Sequence, residues 1–156
     1  MTVIGVLVGN PKPGSRTLRA ALAVRDALDG TPGPVIDLAE IAGELFDYDS
    51  DNVAKAVELV KGVDALVVAS PTYKATYTGL LKAFLDRFGA GSLRGITAYP
   101  LLVAAADKHA LAVEVHLKPL LAELGLSVPG QGLFLNESVF AGDLEAEVAK
   151  LLKETT

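Results

Sequence analysis

A loop containing glycine, proline and serine lies at residues 9–17, between an apolar segment and an amphipathic helical pattern. Residues 3–8 before it are almost continuously apolar, which is typical of a strand buried on both faces of a parallel sheet. The first N–H groups of the following helix have no intrahelical partner and carry the positive end of the helix dipole. This arrangement favours an anion site, and a phosphate is its natural occupant.

Several side chains of this loop add polar and charged groups to the expected anion site. Ser15 and Thr17 supply hydroxyl donors, whereas Lys12 and Arg16 supply positive charge. Gly14 lets the backbone approach a bulky ligand. An ordinary turn, in which Ser15 or Thr17 only caps the helix, explains the loop equally well. The loop has neither Walker A nor Gly-x-Gly-x-x-Gly spacing.

Composition limits the classes of protein that this chain can represent. Its 156 residues, 51% of them apolar, are enough for one domain with a substantial core, and we expect residues 1–156 to form that one domain. The absence of cysteine excludes thiol chemistry, and two histidines without a cluster argue against a metal centre. The net charge of −5 argues against a nucleic-acid partner. With neither a basic leader nor a membrane-length apolar run, we expect a cytoplasmic protein.

The order of the elements predicts the fold class. Five apolar segments are expected to be strands: residues 2–8, 34–38, 64–70, 99–106 and 133–135. Helical patterns alternate with them, which predicts an α/β fold whose parallel sheet has the order 2-1-3-4-5 and helices on both faces. Residues 39–48 are expected to be mostly loop, with one helical turn at most. Pro100 is expected to be tolerable only at the start of its strand.

One predicted helix, at residues 108–124, contains an irregularity. Pro119 lies inside it, and proline has no N–H and clashes with the carbonyl four residues earlier, that of Val115. We therefore expect a kink or a π-type bulge near residues 114–116.

The predicted strand order also locates a ligand site. Strands one and three are neighbours in this order, and ligands bind outside their carboxyl ends. The loop at 10–17 should therefore lie beside the loop at 71–78. The second loop offers Thr72, Tyr73 and Thr76, which suit a flat heteroaromatic ring, although Tyr73 packing on its own loop is an equal alternative. A phosphate joined to a planar ring describes a mononucleotide, and flavin mononucleotide (FMN) is the best candidate.

Two stretches, residues 9–17 (GNPKPGSRT) and residues 71–88 (PTYKATYTGLLKAFLDRF), resemble the NAD(P)H-dependent FMN reductase family. The second is the more specific, and the resemblance is strongest to the branch that supplies reduced flavin to two-component monooxygenases. It implies a flavodoxin-like three-layer sandwich and hydride transfer from NADPH or NADH to the flavin N5, with no catalytic acid or base from the protein. The FMN-binding residues that it implies are Asn10, Lys12, Ser15, Arg16, Thr17, Pro71, Thr72, Tyr73, Lys74, Ala105 and Asp107.

The resemblance also implies partners. One partner is the chain itself, as a homodimer or homotetramer to which the helix holding Leu81 and Phe84 would contribute. The other is a flavin-dependent monooxygenase. Two departures stand out: residues 104–106 are alanines where relatives often carry glycines, and Val115 or His116 would occupy the irregular turn. The alternatives are an FMN-bound reductase of quinones, azo dyes or metal ions, a flavodoxin-like electron carrier, and a flavin-free interaction module.

Overall fold

A five-stranded parallel sheet forms the centre of the computed structural model, which describes residues 1–155. The strands are β1 (Val3–Val8), β2 (Thr31–Asp37), β3 (Ala65–Pro71), β4 (Thr97–Ala104) and β5 (Leu133–Asn136). The α-helices are α1 (Arg16–Ala27), α2 (Asp51–Lys61), α3 (Gly79–Leu85), α4 (Lys118–Glu123) and α5 (Leu144–Thr155). The strand order is β2-β1-β3-β4-β5, which confirms the predicted fold class and topology.

The sheet separates two hydrophobic clusters, one on each face. Along β1, Val6 and Val8 belong to the cluster beneath α1 and α5, whereas Leu7 belongs to the cluster beneath α2, α3 and the chain around α4. The side chains of a strand alternate between its two faces, so a strand covered on both sides must be apolar throughout. All seven residues of β3 are buried in this way.

The segment after β2 is more regular than the sequence predicts. Residues 39–48 were expected to be mostly loop with one helical turn at most, whereas the seven residues Leu38–Glu44 form a 3₁₀ helix. Side-chain hydrogen bonds hold this part of the chain: Arg87, 42 residues away in sequence, donates to the Leu45 carbonyl at 2.7 Å, and Ser50 donates to Glu44 at 2.9 Å. Such contacts leave no periodic signal in the sequence.

Pro100 lies in the interior of β4, and the expectation that it must begin the strand is wrong. It is the fourth residue of β4 and pairs with Val68 of β3. Two residues earlier, Ala98 donates its N–H to Ser127 on the side away from β3, and Pro100 has the same orientation because backbone direction alternates along a strand. Pairing with β5 begins only at Leu101, so the missing N–H breaks no ladder hydrogen bond.

The expected irregularity near Pro119 is confirmed. Val113–Leu117 forms a π-helix, in which the N–H of Lys118 donates to the carbonyl of Val113, five residues earlier. A new helix, α4, then begins at Lys118, so Pro119 lies in a first turn, where a backbone N–H is not needed. The single helix predicted at 108–124 is therefore broken into a 3₁₀ turn at Asp107–His109, the π-helix and α4.

Helices α2 and α3 each begin directly after a side chain that caps the helix. Ser50 caps α2 by accepting from the N–H of Val53, and Thr78 caps α3 by accepting from the N–H of Leu81. A further 3₁₀ helix, Glu137–Ala141, follows β5 directly. Within residues 1–155, every helix is too short or too polar to cross a bilayer.

Candidate functional site

The loop between β1 and α1 is ordered by its own asparagine. The Asn10 carboxamide oxygen accepts from the backbone N–H of Lys12 at 2.9 Å, and its nitrogen donates to the Thr17 hydroxyl oxygen at 3.0 Å. Asn10 therefore ties the start of the loop to the first turn of α1. The Thr17 hydroxyl, which is buried, retains its own proton for a further acceptor.

The N-terminus of α1 faces the same loop. Ser15 is the N-cap, and its side chain accepts from the N–H of Leu18 at 3.1 Å. Gly14 has φ +60°, a left-handed conformation that suits glycine, and its N–H donates to Asp37 at the end of β2 at 3.1 Å. Ser15 thus caps the helix, as the simpler interpretation of the loop required, and its O–H also remains able to donate to an anion.

The loop after β3 is a tight turn. Tyr73 donates its N–H to the Thr76 carbonyl at 2.9 Å, and the two residues between them, Lys74 and Ala75, have φ of 51° and 72°. Residues other than glycine are uncommon in this left-handed region and usually need support from surrounding structure. The turn fixes where the Tyr73 ring can lie.

Buried hydrogen bonds join the two loops. The Thr78 hydroxyl donates to the Gly9 carbonyl at 2.6 Å, and the Thr78 N–H donates to the Ser70 hydroxyl oxygen at 3.0 Å. Ser70 in turn donates to the Pro71 carbonyl at 2.7 Å. The ends of β1 and β3 and the start of α3 are therefore held at fixed positions relative to one another.

A cavity of about 220 Å³ lies at the carboxyl edge of the sheet, where the two loops meet. It contains seven of the residues predicted for the site: Asn10, Lys12, Ser15, Arg16, Thr17, Pro71 and Tyr73. The wall is completed by three residues that sequence reasoning missed, Val103, Glu137 and Phe140. The position of Glu137 directly after β5 was a usable signal, because the carboxyl ends of parallel strands share one edge.

The other four predicted residues do not line this cavity. Lys74 lies at the tip of its turn, and Thr72 uses its N–H to pair with Val103 at 2.8 Å. Ala105 follows the end of β4, which stops two residues earlier than predicted. Asp107 accepts from Asn136 at 2.9 Å and lines a separate cavity of about 490 Å³.

Arg16 and Glu137 face each other across the cavity wall. The Nη2 atom of Arg16 lies 3.5 Å from Oε2 of Glu137, and the guanidinium also lies over the Phe140 ring, 5.3 Å from its centroid. Outside the cavity, on α3, Lys82 pairs with Asp86 at 2.6 Å, and this hydrogen bond raises the pKa of Lys82 above its ordinary value.

The residues present fit a phosphorylated, polar aromatic ligand such as FMN. The phosphate end would meet helix N–H groups, the hydroxyls of Ser15 and Thr17, and the cations of Lys12 and Arg16. On the side of the second loop, the hydroxyl oxygens of Thr72 and Thr76 are buried with no hydrogen-bond partner within residues 1–155. Buried polar atoms normally have partners, so these two oxygens are consistent with a polar ligand or water beside that loop.

A larger groove of about 500 Å³ runs along α1 and is a weaker candidate. It shares only Gly14 and Ser15 with the loop after β1, and its wall is mostly apolar, with residues such as Leu18 and Leu22. The groove also lacks the second loop. Its position away from the switch point of the sheet makes it a poor site for a nucleotide.

Comparisons with known proteins identify the family. The sequence pattern of a family described as NADPH-dependent FMN reductase matches residues 1–140. An FMN reductase (NADPH) of Escherichia coli strain K12 is 34% identical over 137 residues, which are 85% of this chain and 72% of that protein. An FMN reductase (NADPH) of Pseudomonas putida strain KT2440 is 34% identical over 110 residues, which are 69% of this chain but only 56% of that protein.

The fold comparison gives the same result. The apo crystal structure of an NADH:FMN oxidoreductase superposes with a TM-score of 0.84 at 30% sequence identity. The superposition covers 99% of this chain and 88% of the other.

Proposed function

The chain belongs to the NADPH-dependent FMN reductase family, and we propose that it reduces FMN held between the loops that follow β1 and β3. Membership of this family makes it an NAD(P)H:flavin oxidoreductase that uses FMN with NADPH or NADH. The observation that carries the proposed site is the cavity in which the anion-binding loop and Tyr73 come together.

In this proposal the first loop anchors the ligand. Ser15 and Thr17 donate their hydroxyl protons to phosphate oxygens, and Lys12 and Arg16 neutralise the phosphate charge. Asn10 keeps the loop in register with α1 through its two hydrogen bonds. Asn10, Ser15 and Thr17 are held by hydrogen bonds before a ligand arrives, which lowers the ordering cost of binding.

The second loop orients the ring. Pro71 and Tyr73 line the cavity, and Thr72, Lys74 and Thr76 belong to the same short turn. When bound, FMN supplies the redox chemistry by accepting a hydride from the nicotinamide, and the protein supplies position and electrostatics. No side chain of the chain is therefore assigned as a catalytic acid or base. Ala105 and Asp107, which follow β4, are proposed to lie beside the ring rather than to hold the phosphate.

Further parts of the proposal concern partners and location. The exposed apolar side chains of Phe46, Tyr48, Leu111 and Val115 support assembly into a homodimer or homotetramer. α3, the helix that holds Leu81 and Phe84, is proposed to contribute to the dimer; these two residues are fully buried in the core, so a contact from α3 would use its other residues. We also propose a cytoplasmic location, where NADPH and NADH are available, and transfer of reduced FMN to a monooxygenase.

The test is anaerobic oxidation of NADPH and NADH by the purified chain, with and without added FMN. The proposal expects oxidation whose rate rises with FMN until it saturates. Oxidation without added flavin would indicate FMN that co-purifies as a tightly bound group. A protein that binds FMN but oxidises neither nicotinamide would contradict the proposed reductase and favour an electron carrier.

A further inference from the structure

Glu137 is the acidic residue in the wall of the proposed FMN cavity, and it is paired with Arg16. We propose that Glu137 lowers the affinity for FMN by competing with the flavin phosphate for the Arg16 guanidinium, so that FMN exchanges as a substrate. This inference rests on the proposed function and concerns how tightly the same site holds its ligand.

Glu137 lies close enough to Arg16 to compete with a phosphate for its guanidinium. Arg16 is the first residue of α1, and Glu137 is the first residue of the 3₁₀ helix after β5. Their side chains approach to 3.5 Å while remaining 61% and 40% exposed. An ion pair this exposed is weak, so a phosphate with two negative charges is able to displace the carboxylate.

Phe140 keeps the Arg16 guanidinium on the Glu137 side of the cavity. Its ring centroid lies 5.3 Å from Cζ of Arg16, within the range of a cation–π interaction. Phe140 lies three residues after Glu137 on the same 3₁₀ helix, so one short element supplies both contacts. Arg16 must give up or share the Glu137 contact to serve the phosphate.

The few charged groups in the cavity wall mean that the contact between Arg16 and Glu137 affects the affinity for a phosphate. Arg16 and Lys12 are the cationic side chains of the wall and Glu137 is its carboxylate, so the carboxylate offsets half of the positive charge. A bound phosphate also lies in the field of that carboxylate, and like charges a few ångströms apart repel. Both effects lower the affinity for a phosphorylated flavin and leave an unphosphorylated flavin unaffected.

The variant that isolates this effect is Glu137→Gln, which keeps the shape of the side chain and removes its charge. We expect it to bind FMN roughly twofold to fivefold more tightly than the wild type in low salt, the scale expected for one partly exposed charge interaction. Riboflavin, which lacks the phosphate, should bind both proteins equally. The gain should shrink in about 0.5 M salt, because screening weakens exposed charge interactions.

The measurement is quenching of flavin fluorescence, titrated with FMN and with riboflavin for the wild type, Glu137→Gln, Arg16→Gln and the double variant. If Glu137 acts through Arg16, the gain from Glu137→Gln disappears in the Arg16→Gln background. Glu123→Gln is the matched control, because it removes the same charge from an exposed residue at the end of α4. It should leave the affinity for FMN unchanged.

Three results would overturn the inference: FMN affinity that is unchanged or weaker in Glu137→Gln, an equal gain for riboflavin, or a gain that survives in the Arg16→Gln background. Each of these can occur in a protein that still reduces FMN with NADPH or NADH. Failure of the proposed function is a separate outcome, since the wild type would then bind no flavin or oxidise no nicotinamide.

Discussion

The hydroxyl of Thr78 donates a 2.6 Å hydrogen bond to the carbonyl of Gly9, although the two residues are 69 positions apart in the chain. The same oxygen accepts from the N–H of Leu81 at 3.1 Å and so caps α3. One buried side chain therefore joins the end of β1 to the start of α3. This contact holds the two loops of the proposed FMN site together at the switch point of the sheet.

Replacing Thr78 should destabilise the fold. Thr78→Val keeps the shape but leaves the Gly9 carbonyl and the Leu81 N–H without their partner, and we expect a loss of about 2 to 3 kcal/mol in the free energy of unfolding. Urea denaturation followed by circular dichroism measures it. Thr78→Ser retains the hydroxyl and is the control. Unchanged stability in Thr78→Val, or a larger loss in Thr78→Ser than in Thr78→Val, would show that the hydrogen bonds do not carry the effect.

Gly9 is required for close packing between β1 and α3. A Cβ atom at this position would lie 2.6 Å from Cβ of Leu81 in α3, and the Gly9 backbone is held by the hydrogen bond of its N–H to the Ala69 carbonyl at 2.8 Å. We expect Gly9→Ala to lower the free energy of unfolding by about 2 kcal/mol or more and to weaken FMN binding. Gly43→Ala is the control, because a Cβ there meets nothing within 4 Å. Similar stability of the two variants would contradict this account of the packing.

Asp37 is predicted to position the phosphate loop. Its carboxylate accepts from the Gly14 N–H, so Asp37→Ala should release the turn and weaken FMN binding about tenfold, the scale of one buried hydrogen bond, while riboflavin binding changes little. Asp37→Asn retains an acceptor and should bind FMN nearly as the wild type does. Isothermal calorimetry with both flavins measures the difference.

A matched control for Asp37 lies at the opposite edge of the sheet. Asp64 accepts from the backbone N–H of Val3 at 2.8 Å, and Asp64→Ala removes a carboxylate-to-backbone bond of the same type, at an exposed position far from the cavity. Its FMN affinity should equal that of the wild type. A tenfold loss in Asp64→Ala would mean that general destabilisation, not the loop, explains the Asp37 result.

Tyr73 should contribute to binding through the flavin ring and not through the phosphate. Tyr73→Ala is expected to weaken FMN and riboflavin by the same factor, roughly fivefold to tenfold, as for loss of one aromatic contact. Tyr48→Ala removes another exposed tyrosine, outside the cavity, and should change neither affinity. If Tyr73→Ala lowered the affinity for FMN but not for riboflavin, Tyr73 would act at the phosphate and not at the flavin ring. Fluorescence titration distinguishes these results.

The sheet and the meeting of the two loops were predictable because both depend on chain order. Once β1 and β3 are adjacent parallel strands, the residues after Val8 and after Pro71 must share one edge. The irregular helix was predictable for a local reason, the missing N–H of Pro119. These inferences required no knowledge of which distant side chains touch.

The pairing of Arg16 with Glu137 could not be predicted in this way. The two residues follow β1 and β5, which are not neighbours in the sheet, and they meet because α1 and α5 pack on the same face. The ends of β4 were also misplaced by two residues, since they depend on pairing with Asp64 and Ala65 and on the position of Pro100. Ala105 therefore lies beyond the strand, whereas Asp107 was already expected to lie beyond it.

The most direct test of the central claim is the ratio of kcat/KM for FMN to that for riboflavin in NADPH oxidation by the wild type. A reductase that anchors FMN through the loop after β1 should prefer FMN by at least about tenfold, since the phosphate contributes charge-assisted hydrogen bonds, with the difference mainly in KM. Equal use of FMN and riboflavin would contradict the phosphate site. Absence of NADPH and NADH oxidation with either flavin would contradict the reductase itself.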